Sequence, residues 1–337
     1  MARPEDGTSS DVVATVPVTV VTVVFRAELA LLRLQARSLA ALLDADMVDE
    51  VVVIDNSWPR LGRRARARIT QDYGRLADRV RFLLPGELAV LPTTTGWRSQ
   101  QILKLVVARH VRSDRYLLLD AKNHLIRPAT AADLQAADGR ARGATHSYVN
   151  HPLRPQLEHT LTYLGLDPAP LIRDFPPTAT PFVMDTVLVR RMLDDVESRS
   201  GRTFAEEFER AGLMEFFLYS GWLRRNGIGH AALYDGSALE SPTVWPRLAD
   251  RAGVVGCIDE AMAHDAAFFA VHRSSLNRLD GPAVDALAQL WTSRGIFRDQ
   301  GEVRRFIRSF RCRYYRDMTI KKVRELPARR RLARSAV

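Results

Sequence analysis

A chain of 337 residues, 46% apolar and 26% charged, has the length for one large domain or two small ones and the balance of an ordinary soluble globular protein. Its two cysteines, Cys257 and Cys312, lie far apart and match no metal-binding spacing, which argues against a disulfide framework and for a reducing compartment. The net charge of +10 is concentrated: Val303 to Ser335 carries thirteen Arg or Lys against Asp317 and Glu325, so the body is near neutral and nucleic acid is not the expected partner.

Met1 to Asp11 is polar and lacks the basic start of a signal peptide, and residues 1–14 read as a disordered N-terminus. The apolar run Val12 to Phe25 is 14 residues long, too short to span a bilayer, and Thr15 to Phe25 reads as a first strand rich in Val and Thr. Glu28 to Leu43 follows as a helix, with Leu29, Leu32, Leu39 and Leu43 on one side and Arg33 and Arg37 between them. Glu50 to Ile54 is a second strand ending in Asp55-Asn56-Ser57, Arg60 to Leu76 an arginine-rich helix, and Val80 to Leu84 a third strand closed by Pro85-Gly86. Trp97 to His110 is an amphipathic helix, and Tyr116 to Asp120 the fourth strand, whose run Tyr116 to Leu119 reads as fully buried. This alternation predicts a Rossmann-type, mostly parallel sheet flanked by helices and built from right-handed crossovers.

The second half is less regular. Helices are expected at Gln156 to Leu164, Thr203 to Arg210, Met214 to Arg225 and Pro282 to Arg294. Thr180 to Val189 reads as a strand leading into a helix at Arg190 to Glu197, and Ala266 to Val271 as a strand before His272-Arg273. The basic tail interleaves Phe306, Ile307, Phe310, Tyr314 and Tyr315 with arginines, as an amphipathic helix on an anionic membrane does.

Chemistry concentrates where the fourth strand ends. Asp120, Lys122, Asn123 and His124 bring a carboxylate, an amine, an amide and an imidazole within five positions, and open α/β sheets bind ligands at the C-terminal ends of their strands. The rival explanation is that Asp120 only caps the next turn; for Asp55-Asn56 a turn after the strand is the plainest signal. Gln100 and Lys104 lie four apart on one helical face, with Gln101 beside it, and Gly96-Trp97 open that helix where backbone N–H groups receive anions. Glu215 stands among Phe216, Phe217, Leu218 and Trp222, company a carboxylate seldom keeps unless paired or functional. No glycine-rich phosphate loop follows the first strand, which counts against a nucleotidyltransferase or phosphotransferase.

Four islands now carry a resemblance: Val51-Val52-Val53-Ile54-Asp55-Asn56, Gly96 to Leu105, Leu118-Leu119-Asp120-Ala121-Lys122-Asn123-His124, and Glu215-Phe216-Phe217-Leu218-Tyr219. Between Thr15 and Arg273 the chain resembles the GT-A fold of nucleotide-sugar-dependent glycosyltransferases, and is similar to an uncharacterised bacterial family related to capsular-polysaccharide enzymes. The resemblance implies one domain over residues 15–300, with a nucleotide-binding half (15–128) and an acceptor half (129–300), followed by a basic helical tail (301–337). It implies hexosyltransferase-type transfer of a sugar from a nucleotide-diphosphate donor to a saccharide or lipid-linked hydroxyl, in surface polysaccharide or glycoconjugate synthesis. Asp120 and Glu215 would be catalytic, Glu215 as the base. Asp55, Asn56, Trp97, Gln100, Gln101, Lys104, Lys122, Asn123 and Arg273 would hold the donor. A divalent cation, Mn²⁺ or Mg²⁺, would sit on Asp120 and His272, with His124, His146 and His151 as alternatives; Lys122 stands where a second acid is usual, and would otherwise neutralise the diphosphate itself. The expected location is cytoplasmic, with residues 303–335 touching the inner face of the membrane. The alternative is a non-catalytic nucleotide-sugar or carbohydrate-binding protein of the same fold.

Overall fold

The structure is a computed structural model that describes residues 17–92 and 96–316. Eight strands form two sheets: β1 (Val18–Val24), β2 (Val48–Asp55), β3 (Val80–Leu83), β4 (Arg115–Asp120), β5 (Asn123–Leu125), β6 (Phe182–Asp185), β7 (Thr243–Val244) and β8 (Phe268–Val271). The main sheet has the order β3-β2-β1-β4-β6, parallel except for β6, which runs antiparallel to β4. The mostly parallel, helix-flanked sheet expected from the alternation is present. In register, Val21 lies between Val52 and Leu118, and every residue of β1 is buried, as continuous Val/Leu runs covered on both faces require.

Because β1, β2 and β4 are parallel, their C-terminal ends, at Val24, Asp55 and Asp120, share one edge of the sheet. Helix Leu29–Leu42 fixes that edge from behind. Its apolar face buries Leu31, Leu32, Leu34 and Leu39, and its one fully buried amide, Gln35, serves the sheet. Gln35 Oε1 accepts from Thr22 Oγ1 at 2.9 Å, and Nε2 donates to the carbonyls of Asp120 (2.8 Å) and Asn123 (3.0 Å). The turn after β4 is thereby tied to the helix after β1.

Boundaries shift where tertiary packing overrides local preference. The arginine-rich helix stops at Asp72 and passes into a 3₁₀ segment, Gly74–Arg79, because Gly74 adopts φ +49° against the Cβ of Ala40. The β-branched Thr186, Val187 and Val189 read as strand, yet the helix Thr186–Ser200 starts there, since Asp185 Oδ1 caps it by accepting from Leu188 N–H at 2.9 Å. β8 falls within the strand expected at Ala266 to Val271, but helix Arg251–Ala263 and the partners β5 and β7, of three and two residues, are additions that leave little periodic signal.

The expected boundary at residue 300/301 cuts a helix. Residues 300–316 are helical, and Val303, Ile307 and Phe310 are buried in the same core that contains β1 and β4. Glu302 pairs with Arg37 at 2.8 Å. Val303, Ile307 and Phe310 of this apolar stripe are therefore spent on the protein's own core; residues 1–14 and the rest of the basic tail, from 317, lie outside the described residues. No helix among the described residues is long and apolar enough to cross a membrane.

His124 on β5 closes the second sheet against helix Gly281–Ser293. Its Nε2 accepts from Trp291 Nε1–H at 3.0 Å, so Nδ1 carries the proton that faces the Lys122 carbonyl at 3.2 Å. Both ring nitrogens are used, which removes His124 as a metal ligand. Burial pulls its pKa from 6.5 down to about 4. The unfolded chain binds the proton that the folded chain refuses, so stability present above pH 6.5 is lost as the pH falls toward 4, by roughly 3 kcal/mol. In urea unfolding at pH 7 and pH 4.5, His124→Gln should flatten that part of the slope, at a fixed cost of about 1–2 kcal/mol at pH 7. An unchanged slope would assign the acid sensitivity elsewhere.

Candidate active site

A cleft of about 1810 Å³ opens over the C-terminal edge of the main sheet. Its floor is an ion-pair chain built on Lys104. The ammonium Nζ, 7% exposed on helix Gly96–Val106, lies 2.9 Å from Asp120 Oδ1 and 3.3 Å from Glu215 Oε1, and 5.2 Å from the centroid of the Phe216 ring. Lys122 Nζ pairs with the other oxygen, Asp120 Oδ2. Three segments are thus joined: the helix before β4, the end of β4, and the first turn of helix Glu215–Arg225.

The charges set one another's protonation. Burial works against the Lys104 ammonium, but Asp120 and Glu215 outweigh it and hold its pKa above the usual lysine value. Burial likewise pushes the Asp120 carboxyl up, and Lys104 and Lys122 reverse this and hold it well below the usual carboxylate range. Glu215 has only Lys104 and its helix N-terminus, so burial prevails and its carboxyl is raised. Two carboxylates on one lysine therefore titrate in opposite directions.

A second group forms the wall after β1 and β8. Arg273 Nη1 lies 3.9 Å from Glu28 Oε1, and its guanidinium stacks 4.8 Å from the Phe25 ring centroid. His272 caps helix Arg273–Arg278, with Nδ1 accepting from Ser274 N–H at 3.2 Å, and packs its ring 5.4 Å from that of Trp245. Burial first, and then Arg273 and Lys122, lower its pKa. Three exposed tryptophans stand on the cleft: Trp58 (85% exposed), Trp97 (60%) and Trp245 (45%).

Of the residues singled out in the sequence, Asn56, Trp97, Gln100, Lys104, Asp120, Lys122, Glu215, His272 and Arg273 line this cleft. Three do not. Asp55 is fully buried and holds its own turn, Oδ1 accepting from Ser57 N–H (3.2 Å) and Oδ2 from Leu61 N–H (2.8 Å) and Arg66 Nη2 (3.3 Å). Asn123 is spent on four hydrogen bonds: Oδ1 accepts from Asp120 N–H and Thr180 Oγ1, and Nδ2 donates to the Thr180 carbonyl and Ser241 Oγ. Gln101 faces the interior, its amide buried. Asn56 is on the cleft but already donates to Ser99 Oγ at 2.9 Å. His146 also lines the cleft, while His151 Nδ1 accepts from Leu153 N–H.

The donor set does not fit a divalent cation. Both oxygens of Asp120 are held by ammonium groups, a lysine stands where a second acid would, and His272 is flanked by a guanidinium. Among the described residues no group of three or more His, Cys, Asp or Glu is arranged to hold a metal.

Sequence reasoning missed Glu28 and the exposed Trp58 and Trp245. Glu28 reads as the start of a helix and lies four residues beyond β1, in the turn Arg26–Glu28, where only the folded chain sets Arg273 beside it.

A family model covers residues 12–253, and the chain belongs to that family, described as a family of unknown function, DUF6492. No curated protein matches. Among solved structures, the galactosyltransferase LgtC, in complex with donor and acceptor sugar analogues, aligns at 12% identity over 83% of this chain and 100% of its own, with a TM-score of 0.46. The bifunctional glycosyltransferase WbbM aligns at 10% identity over 85% of this chain and 52% of its own, with a TM-score of 0.44. Glucosyl-3-phosphoglycerate synthase from Mycobacterium tuberculosis, in complex with Mn²⁺, uridine diphosphate and phosphoglyceric acid, aligns at 15% identity over 64% of this chain and 80% of its own, with a TM-score of 0.34.

Burial raises the Glu28 carboxyl from 4.5 to about 7, with Arg273 opposing and Asp120 adding to the rise. The folded chain then keeps a proton that the unfolded chain releases, so stability falls as the pH rises from 4.5 to 7 and the full cost, roughly 3 kcal/mol, is present above pH 7. Glu28→Gln should match the wild type near pH 4.5 and exceed it by about 2–3 kcal/mol at pH 8 in denaturant titrations. A difference that does not grow with pH would remove Glu28 from the buried charge network.

Proposed function

We propose that this member of the family transfers a glycosyl group from a nucleoside-diphosphate sugar to a hydroxyl of a saccharide or lipid-linked acceptor. The observation that carries the reading is the Lys122–Asp120–Lys104–Glu215 chain on the floor of a large strand-end cleft. The cleft has room for a donor and an acceptor together, and six basic side chains against four carboxylates line it.

In the reaction the bond between the sugar's anomeric carbon and the diphosphate oxygen breaks, and its electron pair leaves with the diphosphate. Lys122 and Arg273, which line the cleft beside Asp120 and Glu28, are suited to receive that charge. The acceptor oxygen bonds to the anomeric carbon and gives its proton to a carboxylate. Glu215 suits that role because burial raises its basicity while Lys104 keeps it oriented. Gln100 and the tryptophans at the mouth offer an amide and flat apolar faces to sugar hydroxyls and rings. Asp120 orients both lysines instead of touching the donor. A cytoplasmic site of action, and a role in surface polysaccharide or glycoconjugate synthesis, belong to the same proposal.

A second reading, a protein that binds the donor without turnover, draws on the same chain of charges, since Asp120 is fully paired. Turnover separates the two. Purified full-length protein incubated with UDP-, GDP-, CDP- and dTDP-sugars, with and without Mn²⁺ or Mg²⁺, should release a nucleoside diphosphate with one donor. Glu215→Gln should slow that release, and transfer to a saccharide acceptor, about 10²- to 10⁴-fold while the donor still binds. Donor binding without release would establish the second reading, and neither binding nor release across the panel would end both.

A further inference from the structure

We infer that lysine and arginine charges, not a divalent cation, neutralise the donor diphosphate, with Lys122 as the principal contact and Asp120 as the residue that positions it. The inference rests on the proposed nucleotide-sugar reading and specifies its binding site.

The argument starts from what a cation would need. Mg²⁺ or Mn²⁺ takes several oxygen or nitrogen ligands, and a site with a single protein carboxylate must at least have that carboxylate open. Here Asp120 Oδ1 is 2.9 Å from Lys104 Nζ, and Oδ2 is paired with Lys122 Nζ. A cation on Asp120 would have to displace one ammonium and then lie against both, which costs Coulomb energy in a half-buried site. The two lysines reach Asp120 from different elements, Lys104 from helix Gly96–Val106 and Lys122 from the β4–β5 turn. That turn is held by Gln35 and by all four hydrogen bonds of Asn123, which fixes the backbone from which Lys122 reaches Asp120.

The division of labour follows from exposure. The Lys104 side chain is 9% exposed and is consumed by Asp120 and Glu215; the Lys122 side chain is 19% exposed and Arg273 36%, and both line the cleft. Lys122 therefore has its carboxylate on one side and the cleft on the other. An ammonium has three donors, so Lys122 can keep Asp120 and still donate to a phosphate oxygen. Arg273 adds a planar fork on the same side, two residues beyond Val271, whose N–H donates to the Lys122 carbonyl, and is suited to a second phosphate oxygen.

The test is calorimetric binding of UDP, GDP, CDP and dTDP to full-length protein in EDTA and in Mn²⁺, followed by Lys122→Met and Lys122→Arg with the nucleotide that binds. The wild type should bind one nucleotide with affinities that agree within about twofold in the two buffers, Lys122→Met should weaken binding about ten- to a hundredfold, and Lys122→Arg should restore most of it. Binding that strengthens tenfold or more in Mn²⁺, or that survives Lys122→Met unchanged, overturns the inference and leaves the glycosyltransferase reading intact. No binding in either buffer overturns both. The buffer comparison needs no variant, so a Lys122→Met protein that failed to fold would not remove the test.

Discussion

Lys104 is the constraint on which the site depends. A single ammonium, closed off from solvent, is shared by a carboxylate at the end of a strand and another at the start of a helix. Taking such a charge out of water costs several kcal/mol, and only well-placed partners offset it. Asp120 and Glu215 together supply that compensation. The strand end and the helix are therefore locked at one separation, and with them the floor of the cleft. The fixed geometry extends outward through Asp120 to Lys122, and through the Gln35 and Asn123 hydrogen bonds to the backbone that carries them.

The main sheet was legible because its central strands are buried on both faces and so carry continuous apolar runs, as in residues 51–54 and 116–119. The first four strands appear in the order and at the places that their Val and Leu content marks. Part of the cleft lining was legible too: Asp120 ends β4, Gln100 and Lys104 share one helical face, and Glu215 is a carboxylate in apolar company, but the pairing of Lys104 with Asp120 and Glu215 was not. What sequence alone could not distinguish was which polar groups at a strand end face the ligand and which serve the backbone. Asp55 and Asn123 carry the same chemistry as Asp120, but their hydrogen bonds close turns. Glu28 failed to stand out because one glutamate at the head of an amphipathic helix is ordinary until the arginine from a distant strand end is set beside it.

The basic tail shows the same ambiguity on a larger scale. Apolar residues spaced among arginines fit a membrane surface and a core-packed helix equally well in sequence. Val303, Ile307 and Phe310 are buried against the domain, and Arg37 is committed to Glu302 and to the ring of Phe297. The helix also brings Arg316 to the cleft, so a segment expected to lie apart contributes to its lining.

The five tryptophans divide in a useful way. Trp222 and Trp291 are buried, with their indole N–H groups bonded to Asp195 and His124, whereas Trp58, Trp97 and Trp245 are exposed around one opening. The polarity around the first pair is set by the fold, and that around the other three by whatever occupies the cleft. The protein thus carries its own optical contrast: red-shifted emission from solvated indoles reports occupancy, and the blue emission of the buried pair reports whether the domain is intact.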